Sequence, residues 1–187
     1  MIQIAFDIDG VVLRSIDVIL SHINEKTGKN LHPNNLMNWD LEPLGIPVET
    51  LWESVHHMYS MEYIEPYSGA ESVLLEIYER TGEPLLFITV RRDPGSARKQ
   101  IESLNWPGKT PEIIVTGGNR DKRAYLAQTG ANFIIEDDDL HVSDYLEVGV
   151  EVGLLVQPWN RNCDAPVVCK FDHWHDIRNW YLDGICD

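Results

Sequence analysis

The stretch AFDIDGVV occupies residues 5–12 of a chain of 187 residues. It begins as an apolar run and then places two acids, Asp7 and Asp9, in front of Gly10. Side chains two positions apart in an extended segment point the same way, so both carboxylates can face one ligand. Two close carboxylates share a proton or need a cation, because like charge raises the pKa of one of them. Gly10 allows a ligand to approach the backbone closely or the chain to turn with positive φ.

Other short apolar runs continue the pattern of this first strand, which we place at residues 3–7. Each is rich in β-branched residues and bounded by polar or turn residues, as is typical of buried parallel strands. These runs are 84–89, 112–116, 132–136 and 152–156. Helical patterns separate the later ones at 95–104, 120–129 and 140–148. The alternation predicts an α/β fold, a Rossmann-like doubly wound parallel sheet.

The segment between the first strand and residues 84–89 is too long for a single crossover helix. It contains helical patterns at about 15–27, 48–61 and 70–81. We interpret the last of these as the crossover helix and residues 14–66 as a small helical cap inserted after the first strand. The core domain then consists of residues 1–13 and 67–187. Ligands of open α/β sheets bind at the carboxyl ends of the strands, so we expect the cap to cover that site.

The formal net charge of −15 argues against a nucleic-acid polymer as ligand, because such binding depends on many Lys and Arg contacts to phosphate. The charge is uneven, since residues 80–123 hold nine of the 15 basic residues and only five acids. An anionic small molecule can therefore be received locally by an acidic protein.

No apolar stretch approaches the roughly 18 residues of a membrane span. The first strand-like run follows Met1 directly, which leaves no room for a signal peptide. We therefore expect a cytoplasmic protein without a membrane partner. The sequence leaves open whether the protein forms a homodimer.

Polar residues follow two of the other predicted strands. Thr89 ends the run 84–89, where its hydroxyl and N–H can hold a phosphoryl oxygen, although a β-branched strand residue needs no such role. Lys122 lies in the first turn predicted for 120–129, after two glycines. A helix dipole favours anions at this end, so a lysine there calls for an anionic partner unless it is a solvated surface residue.

The run 132–136 leads into four consecutive acids, Glu136, Asp137, Asp138 and Asp139. A hard divalent cation with oxygen ligands would relieve the repulsion among them. An acid-rich helix N-terminus is the alternative, because the dipole favours acids there.

Together, the order Asp-x-Asp, Thr, Lys and an acidic pair resembles the haloacid-dehalogenase-like superfamily, and its phosphatase branch in particular. The residues that carry the resemblance are those of 7–12, 87–89, Lys122 and Glu136-Asp137. The second acid, Asp9, favours phosphatases over the dehalogenase relatives, which lack it.

The resemblance implies a role for each matched residue. Asp7 would be the nucleophile that forms an aspartyl-phosphate, and Asp9 would protonate the leaving oxygen and later activate water. Thr89 and Lys122 would hold the phosphoryl oxygens. Mg²⁺ would be bound by Asp7, the backbone carbonyl of Asp9 and Asp137, with Asp138 competing for the last place. A phosphate monoester carries nearly two negative charges, so a carboxylate nucleophile needs this neutralisation.

A narrower resemblance links the chain to the cytosolic 5′(3′)-deoxyribonucleotidase group and its bacterial relatives. It rests on residues 85–92, 133–137 and Gln157-Pro158-Trp159-Asn160-Arg161. It implies a nucleoside 5′- or 3′-monophosphate as substrate, in particular a deoxyribonucleotide. A sugar- or polyol-phosphate phosphatase is the main alternative, and a non-catalytic Mg²⁺-binding domain is a third.

Substrate contacts are expected from two parts of the chain. Val90 and Arg91 follow Thr89 on a loop, where Arg91 can meet phosphate or remain a surface residue. Trp39 and Tyr63 belong to the cap, whose aromatic side chains can stack on a base. The cap also carries a helical apolar stripe that includes Tyr59, so many of its aromatic residues are expected to form its core.

Overall fold

A computed structural model describes residues 3–37, 41–104 and 109–184. Within these ranges six strands form one sheet in the order β3-β2-β1-β4-β5-β6, and every neighbouring pair runs parallel. The strands are β1 Ile4–Phe6, β2 Leu86–Thr89, β3 Glu112–Val115, β4 Phe133–Glu136, β5 Glu151–Leu155 and β6 Cys169–Phe171. The prediction of a Rossmann-like parallel sheet is confirmed, and β6 extends it by a strand that the sequence pattern did not predict.

The helices are α1 Ser15–Thr27, α2 Val48–Ser60, α3 Ala70–Thr81, α4 Pro94–Glu102, α5 Arg123–Thr129, α6 Val142–Glu147 and α7 Trp174–Asp183. Short 3₁₀ turns occupy Pro33–Asn35 and Glu42–Leu44. Helix α5 begins after Lys122 and not at residue 120, so the lysine stands just before the helix. In the part of the chain that the structure describes, no helix is both long and apolar enough to cross a membrane.

The sheet is buried on both faces, as a doubly wound sheet requires. Phe6 of β1 belongs to the apolar cluster that includes residues of α1, α3, α4 and α7. Its neighbour Ala5 points to the other face, where the cluster includes residues of α5 and α6. Phe6 stacks on Trp174 with ring centroids 5.7 Å apart, which fastens α7 to the central strand. Because helices cover both faces, the polar residues at the ends of the strands lie at the rim of the sheet.

Helices α1 and α2 form the segment that the sequence predicts as a cap. Its two ends meet at the core, because Arg14 N–H donates to Glu65 O at 3.0 Å and Tyr67 N–H donates to Val12 O at 2.8 Å. His22 of α1 stacks on His57 of α2 with ring centroids 4.4 Å apart. The segment leaves and re-enters the core at one place, just beyond Asp7 and Asp9.

Candidate active site

Three of the predicted catalytic and metal-binding residues lie at the carboxyl ends of adjacent strands or directly after them, and a fourth stands just before a helix. Asp7 follows β1, Thr89 ends β2 and Asp137 follows β4, while Lys122 precedes α5. Strand β1 lies between β2 and β4, so these residues meet at the middle of the sheet edge. This is where open α/β sheets bind ligands.

Lys122 forms a buried ion pair with two carboxylates at once. Its Nζ lies 2.7 Å from Asp7 Oδ1 and 2.7 Å from Glu136 Oε1. Burial acts to lower the pKa of Lys122, but the charges of Asp7 and Glu136 outweigh burial and raise it. Burial also raises the pKa of Asp7, which Lys122 opposes only in part. One ammonium group therefore serves two carboxylates.

Asp7, Glu136 and Asp137 form a buried acidic cluster. Each offers a carboxylate oxygen, and these oxygens lie within 4.8 Å of one another. Glu136 Oε2 and Asp137 Oδ1 are buried without a hydrogen-bond partner among the residues that the structure describes. Burial is the main reason that the pKa of Asp137 lies well above its usual range and that the pKa of Glu136 rises to about 8. Unpartnered oxygens in an under-neutralised cluster fit a hard divalent cation such as Mg²⁺.

The cluster contains one acid that the predicted ligand set lacks. The side chain of Glu136, matched in sequence but given no role there, joins Asp7 and Asp137. The carboxylate of Asp9, whose carbonyl was the predicted ligand, is paired elsewhere. Asp138 is also turned away, because Arg120 Nε donates to it at 3.1 Å. Of the two competing acids, Asp137 is the one that the fold brings to Asp7.

Asp137 is held in place by residues 157–161, the segment on which the resemblance to deoxyribonucleotidases partly rests. Trp159 Nε1 donates to Asp137 Oδ2 at 2.9 Å, and Asn160 Nδ2 donates to its backbone oxygen at 2.9 Å. Gln157 Nε2 donates to Gly10 O at 2.8 Å, which fixes the loop after Asp9. A Cβ at Gly10, where φ is +83°, would lie 1.9 Å from Asp137 Oδ2. The residue behind the two acids therefore has to be glycine.

Asp9 is paired with Arg91. The guanidinium donates from Nε to Oδ2 at 2.8 Å and from Nη2 to Oδ1 at 2.6 Å. The hydroxyl of Ser15 also donates to Oδ1, and the hydroxyl of Thr89 lies 3.4 Å from Oδ2. Burial acts to raise the pKa of Asp9, but the charge and hydrogen bonds of Arg91 outweigh it, so the pKa lies below its usual range.

Arg91, expected to contact substrate, is thus directed to Asp9 and is only 1% exposed. Its third nitrogen, Nη1, donates to Gln100 Oε1 at 2.6 Å. Sequence reasoning missed Ser15 and Gln100. Gln100 had a signal, because it is a polar residue on the apolar face of α4, beside Ala97 and Ile101.

A pocket of about 220 Å³ lies over the two acids. Its polar floor is formed by Asp7, Asp9, Lys122, Glu136 and Asp137. Cap residues form an apolar wall: Ile19, Val55, Met58 and Tyr59. Of the predicted substrate contacts, Val90 lines the pocket, whereas Tyr63 is 51% exposed and is not one of the lining residues. Trp39 lies outside the described residues.

Several solved structures that share this arrangement of elements are named as haloacid-dehalogenase-like proteins. The chain has the fold of the haloacid-dehalogenase-like hydrolases. A haloacid-dehalogenase-like protein from Agrobacterium tumefaciens matches with a TM-score of 0.69 at 14% identity, covering 98% of this chain and 99% of that one. A candidate phosphoglycolate phosphatase from Lactobacillus plantarum gives 0.60 at 17% identity, covering 95% and 98%. A candidate β-phosphoglucomutase from Thermotoga maritima gives 0.61 at 16% identity, covering 99% and 100%.

No family model matches the sequence, and no curated protein matches it significantly. None of the three structures above is named as a nucleotidase. The resemblance to the superfamily therefore has support at the level of fold. The narrower resemblance to deoxyribonucleotidases stays a prediction from sequence.

Proposed function

We propose that the protein is a Mg²⁺-dependent phosphomonoesterase that acts through an aspartyl-phosphate on Asp7. The observation that carries this proposal is the pairing of Asp7 with Lys122 beside carboxylate oxygens that have no partner, on the floor of a pocket. A carboxylate in this setting can attack phosphorus only if the negative charge of the substrate is neutralised there. Lys122 supplies one positive charge for that neutralisation, and the acidic cluster would hold the cation that supplies the rest.

The reaction divides into two transfers. Asp7 forms a bond to phosphorus while the bond from phosphorus to the ester oxygen breaks. Asp9, which Arg91 keeps ionised in the free protein and which takes up a proton before this step, gives that oxygen the proton. Water then attacks phosphorus, Asp9 takes the proton from water, and the bond to Asp7 breaks. Lys122 faces the developing charge, and Thr89 is the predicted partner of a phosphoryl oxygen. The chemistry that a Mg²⁺ ion held by Asp7, Glu136 and Asp137 supplies is neutralisation of charge on the phosphoryl oxygens.

Two observations support a substrate class, the names of the similar structures and the lining of the pocket. The candidate β-phosphoglucomutase and phosphoglycolate phosphatase are named for small phosphorylated compounds without a base, which supports a sugar or polyol phosphate over the nucleotide first predicted. A nucleoside monophosphate is the second candidate. It is favoured by the apolar wall of Ile19, Val55, Met58 and Tyr59, against which a base could lie.

A substrate panel tests the proposal. Phosphate release by the purified full chain is measured with 4-nitrophenyl phosphate, phosphoglycolate, hexose phosphates, glycerol phosphate and deoxynucleoside monophosphates, with Mg²⁺ and with excess EDTA. We expect turnover with Mg²⁺ only, and the highest kcat/KM on a base-free phosphate. Turnover that persists in EDTA contradicts the metal assignment. Release of no phosphate from any ester contradicts the phosphatase, and a preference for deoxynucleotides favours the second candidate.

A further inference from the structure

Arg91 supports Asp9 from behind the pocket. All three of its nitrogens donate to protein groups, two of them to Asp9 and the third to Gln100. The ring of Tyr59, from the cap, lies 5.7 Å from the guanidinium carbon. With 1% of its surface exposed, Arg91 has no face left for a ligand. Its geometry suits a residue that orients another side chain.

Gln100 connects Arg91 to the cap. Its Oε1 accepts from Arg91, and its Nε2 donates to Met58 O and to Met61 O, both at 2.9 Å. These two carbonyls stand at the end of α2, where Met58 O also accepts from Met61 N–H at 3.3 Å and no further turn of helix follows. A buried primary amide is needed here, because the position demands an acceptor on one side and a donor on the other.

The contacts form a continuous chain from α2 through Gln100 and Arg91 to Asp9. A second cap element ends on the same carboxylate, since Ser15 at the start of α1 donates to Asp9 Oδ1. Movement of α2 away from α4 would remove both partners of the Gln100 amide nitrogen. A buried polar group that loses its partners costs about 1–3 kcal/mol, so Gln100 would reorient and Arg91 would lose its support.

We propose that Gln100 and Arg91 are positioning residues that set the orientation of the Asp9 carboxylate according to how α2 is seated on the core. The inference rests on the proposed function, because it assigns to this chain of contacts an effect on the proton transfer by Asp9. It adds a residue on α4, outside the pocket, that acts on the reaction only through Arg91.

The kinetic test uses the dependence on leaving group. An alkyl phosphate such as glycerol phosphate needs a proton on its leaving oxygen, whereas 4-nitrophenyl phosphate releases a stable anion. In Gln100→Leu we expect kcat/KM for the alkyl ester to fall by about 10- to 100-fold, the effect of misplacing a catalytic group. The value for the aryl ester should fall by less than about 3-fold. Gln100→Glu keeps the acceptor for Arg91 but loses the donor to α2, and should show the same pattern.

Ser54→Ala is the matched control. Ser54 is a buried polar residue of α2 whose hydroxyl donates to Thr50 O at 2.7 Å, outside the contact chain. Its variant should leave the ratio between the two esters unchanged. Equal losses on both esters in the Gln100 variants, with circular dichroism like the parent, would indicate a structural role only and overturn the inference.

A structural test decides the inference independently of any activity. In a crystal structure of Gln100→Leu we expect Asp9 to have turned from its two-point contact with Arg91. Retention of that contact, with distances like those of the parent, overturns the positioning role even if no phosphate ester is hydrolysed. Failure of the parent protein in the substrate panel overturns the phosphatase itself, so the two failures are distinguishable.

Discussion

Asp7 and Asp9 lie two positions apart on one loop, and their surroundings differ in charge balance. Asp7 shares a single ammonium group with Glu136 and has Asp137 beside it. Asp9 accepts hydrogen bonds from two nitrogens of the Arg91 guanidinium and from the hydroxyl of Ser15. The pKa of Asp7 is raised by burial, whereas the pKa of Asp9 is lowered because Arg91 outweighs burial.

Carboxylates whose pKa values are pushed apart commonly carry different roles in one reaction. The region around Asp7 has one ammonium group for three carboxyl groups and is suited to receive a cation. In the region around Asp9, the charge of Arg91 balances that of the carboxylate, and the contact between them holds the Asp9 side chain in one orientation. Asp7 therefore has a role that needs a bound cation, whereas Asp9, two positions later, has a role that needs a fixed orientation.

Removal of the Asp7 carboxylate should have the largest effect. In Asp7→Asn we expect turnover of 4-nitrophenyl phosphate to fall by at least about 10⁴-fold, because the nucleophile is lost. The measurement is phosphate release at saturating Mg²⁺, and Asp164→Asn, at an exposed acid, serves as the control. A variant within 10-fold of the parent would show that another group attacks phosphorus.

The contrast between Asp137 and Asp138 sharpens the metal assignment. Asp137→Asn should raise the Mg²⁺ concentration for half-maximal activity by more than about 10-fold, because it removes charge and a ligand from the cluster. Asp138→Asn should change that concentration by less than about 3-fold, since its carboxylate is paired with Arg120. Titration of activity with Mg²⁺ measures both, and the reverse order of effects would move the ligand to Asp138.

A smaller effect is expected when the support of Asp137 is removed. Trp159→Phe keeps a ring but loses the N–H that donates to Asp137 Oδ2. Loss of such outer hydrogen bonds costs metal sites about 10-fold or more in affinity. Calorimetric titration of the variant with Mg²⁺ tests this. An affinity equal to that of the parent would mean that Asp137 is oriented by other contacts.

Between pH 5 and 8 the pH dependence of stability reports on the region around Asp7 and not on the region around Asp9. The folded-state pKa of Glu136, about 8, lies above its ordinary value of 4.5, so folding binds protons between these values. Stability of the metal-free protein should therefore fall as pH rises from 5 to 8. Asp7 and Asp137 act in the same direction. Asp9, whose pKa is lowered, is ionised in both states throughout this window and adds no slope.

We expect the melting temperature in EDTA to decline by at least about 3 °C over this range, and Mg²⁺ to reduce the decline. Differential scanning fluorimetry measures both curves. Asp137→Asn should flatten the curve in EDTA, because one buried carboxylate is gone. Identical slopes with and without Mg²⁺ would mean that the cluster is not the source of the pH dependence.

The sequence predicted the residues whose place depends on topology alone. Asp7, Thr89 and Asp137 follow or end buried strands, and parallel strands bring their carboxyl ends to one edge whatever the side chains do. The sheet itself was predictable for the same reason, from runs of β-branched residues. Strand β6 was not, because its three residues alternate around an exposed Lys170 and are too few to show a period.

Residues whose place depends on side-chain direction were harder to predict. Arg91 stands on a loop, and nothing in its neighbours tells whether it turns to the pocket or back to Asp9. Its direction is decided by Gln100 and Tyr59, which come from a core helix and from the cap. The role of Trp159 likewise required knowing that its N–H reaches an acid after β4.

The contacts of Gln157, Trp159 and Asn160 have a consequence for synthesis on the ribosome, because these residues are made after the acids that they support. Asp7 directly follows the central strand β1. Its neighbours in the cluster, Glu136 and Asp137, end and follow β4, and the groups that hold Asp137 come later still. A nascent chain that ends between residues 137 and 156 contains every acid of the cluster and none of these three supports. Strand β1 lacks both partner strands until β2 is synthesised and keeps one edge unpaired until β4 is synthesised, a state that favours association with other chains. The short length of β1, three residues, limits that hazard.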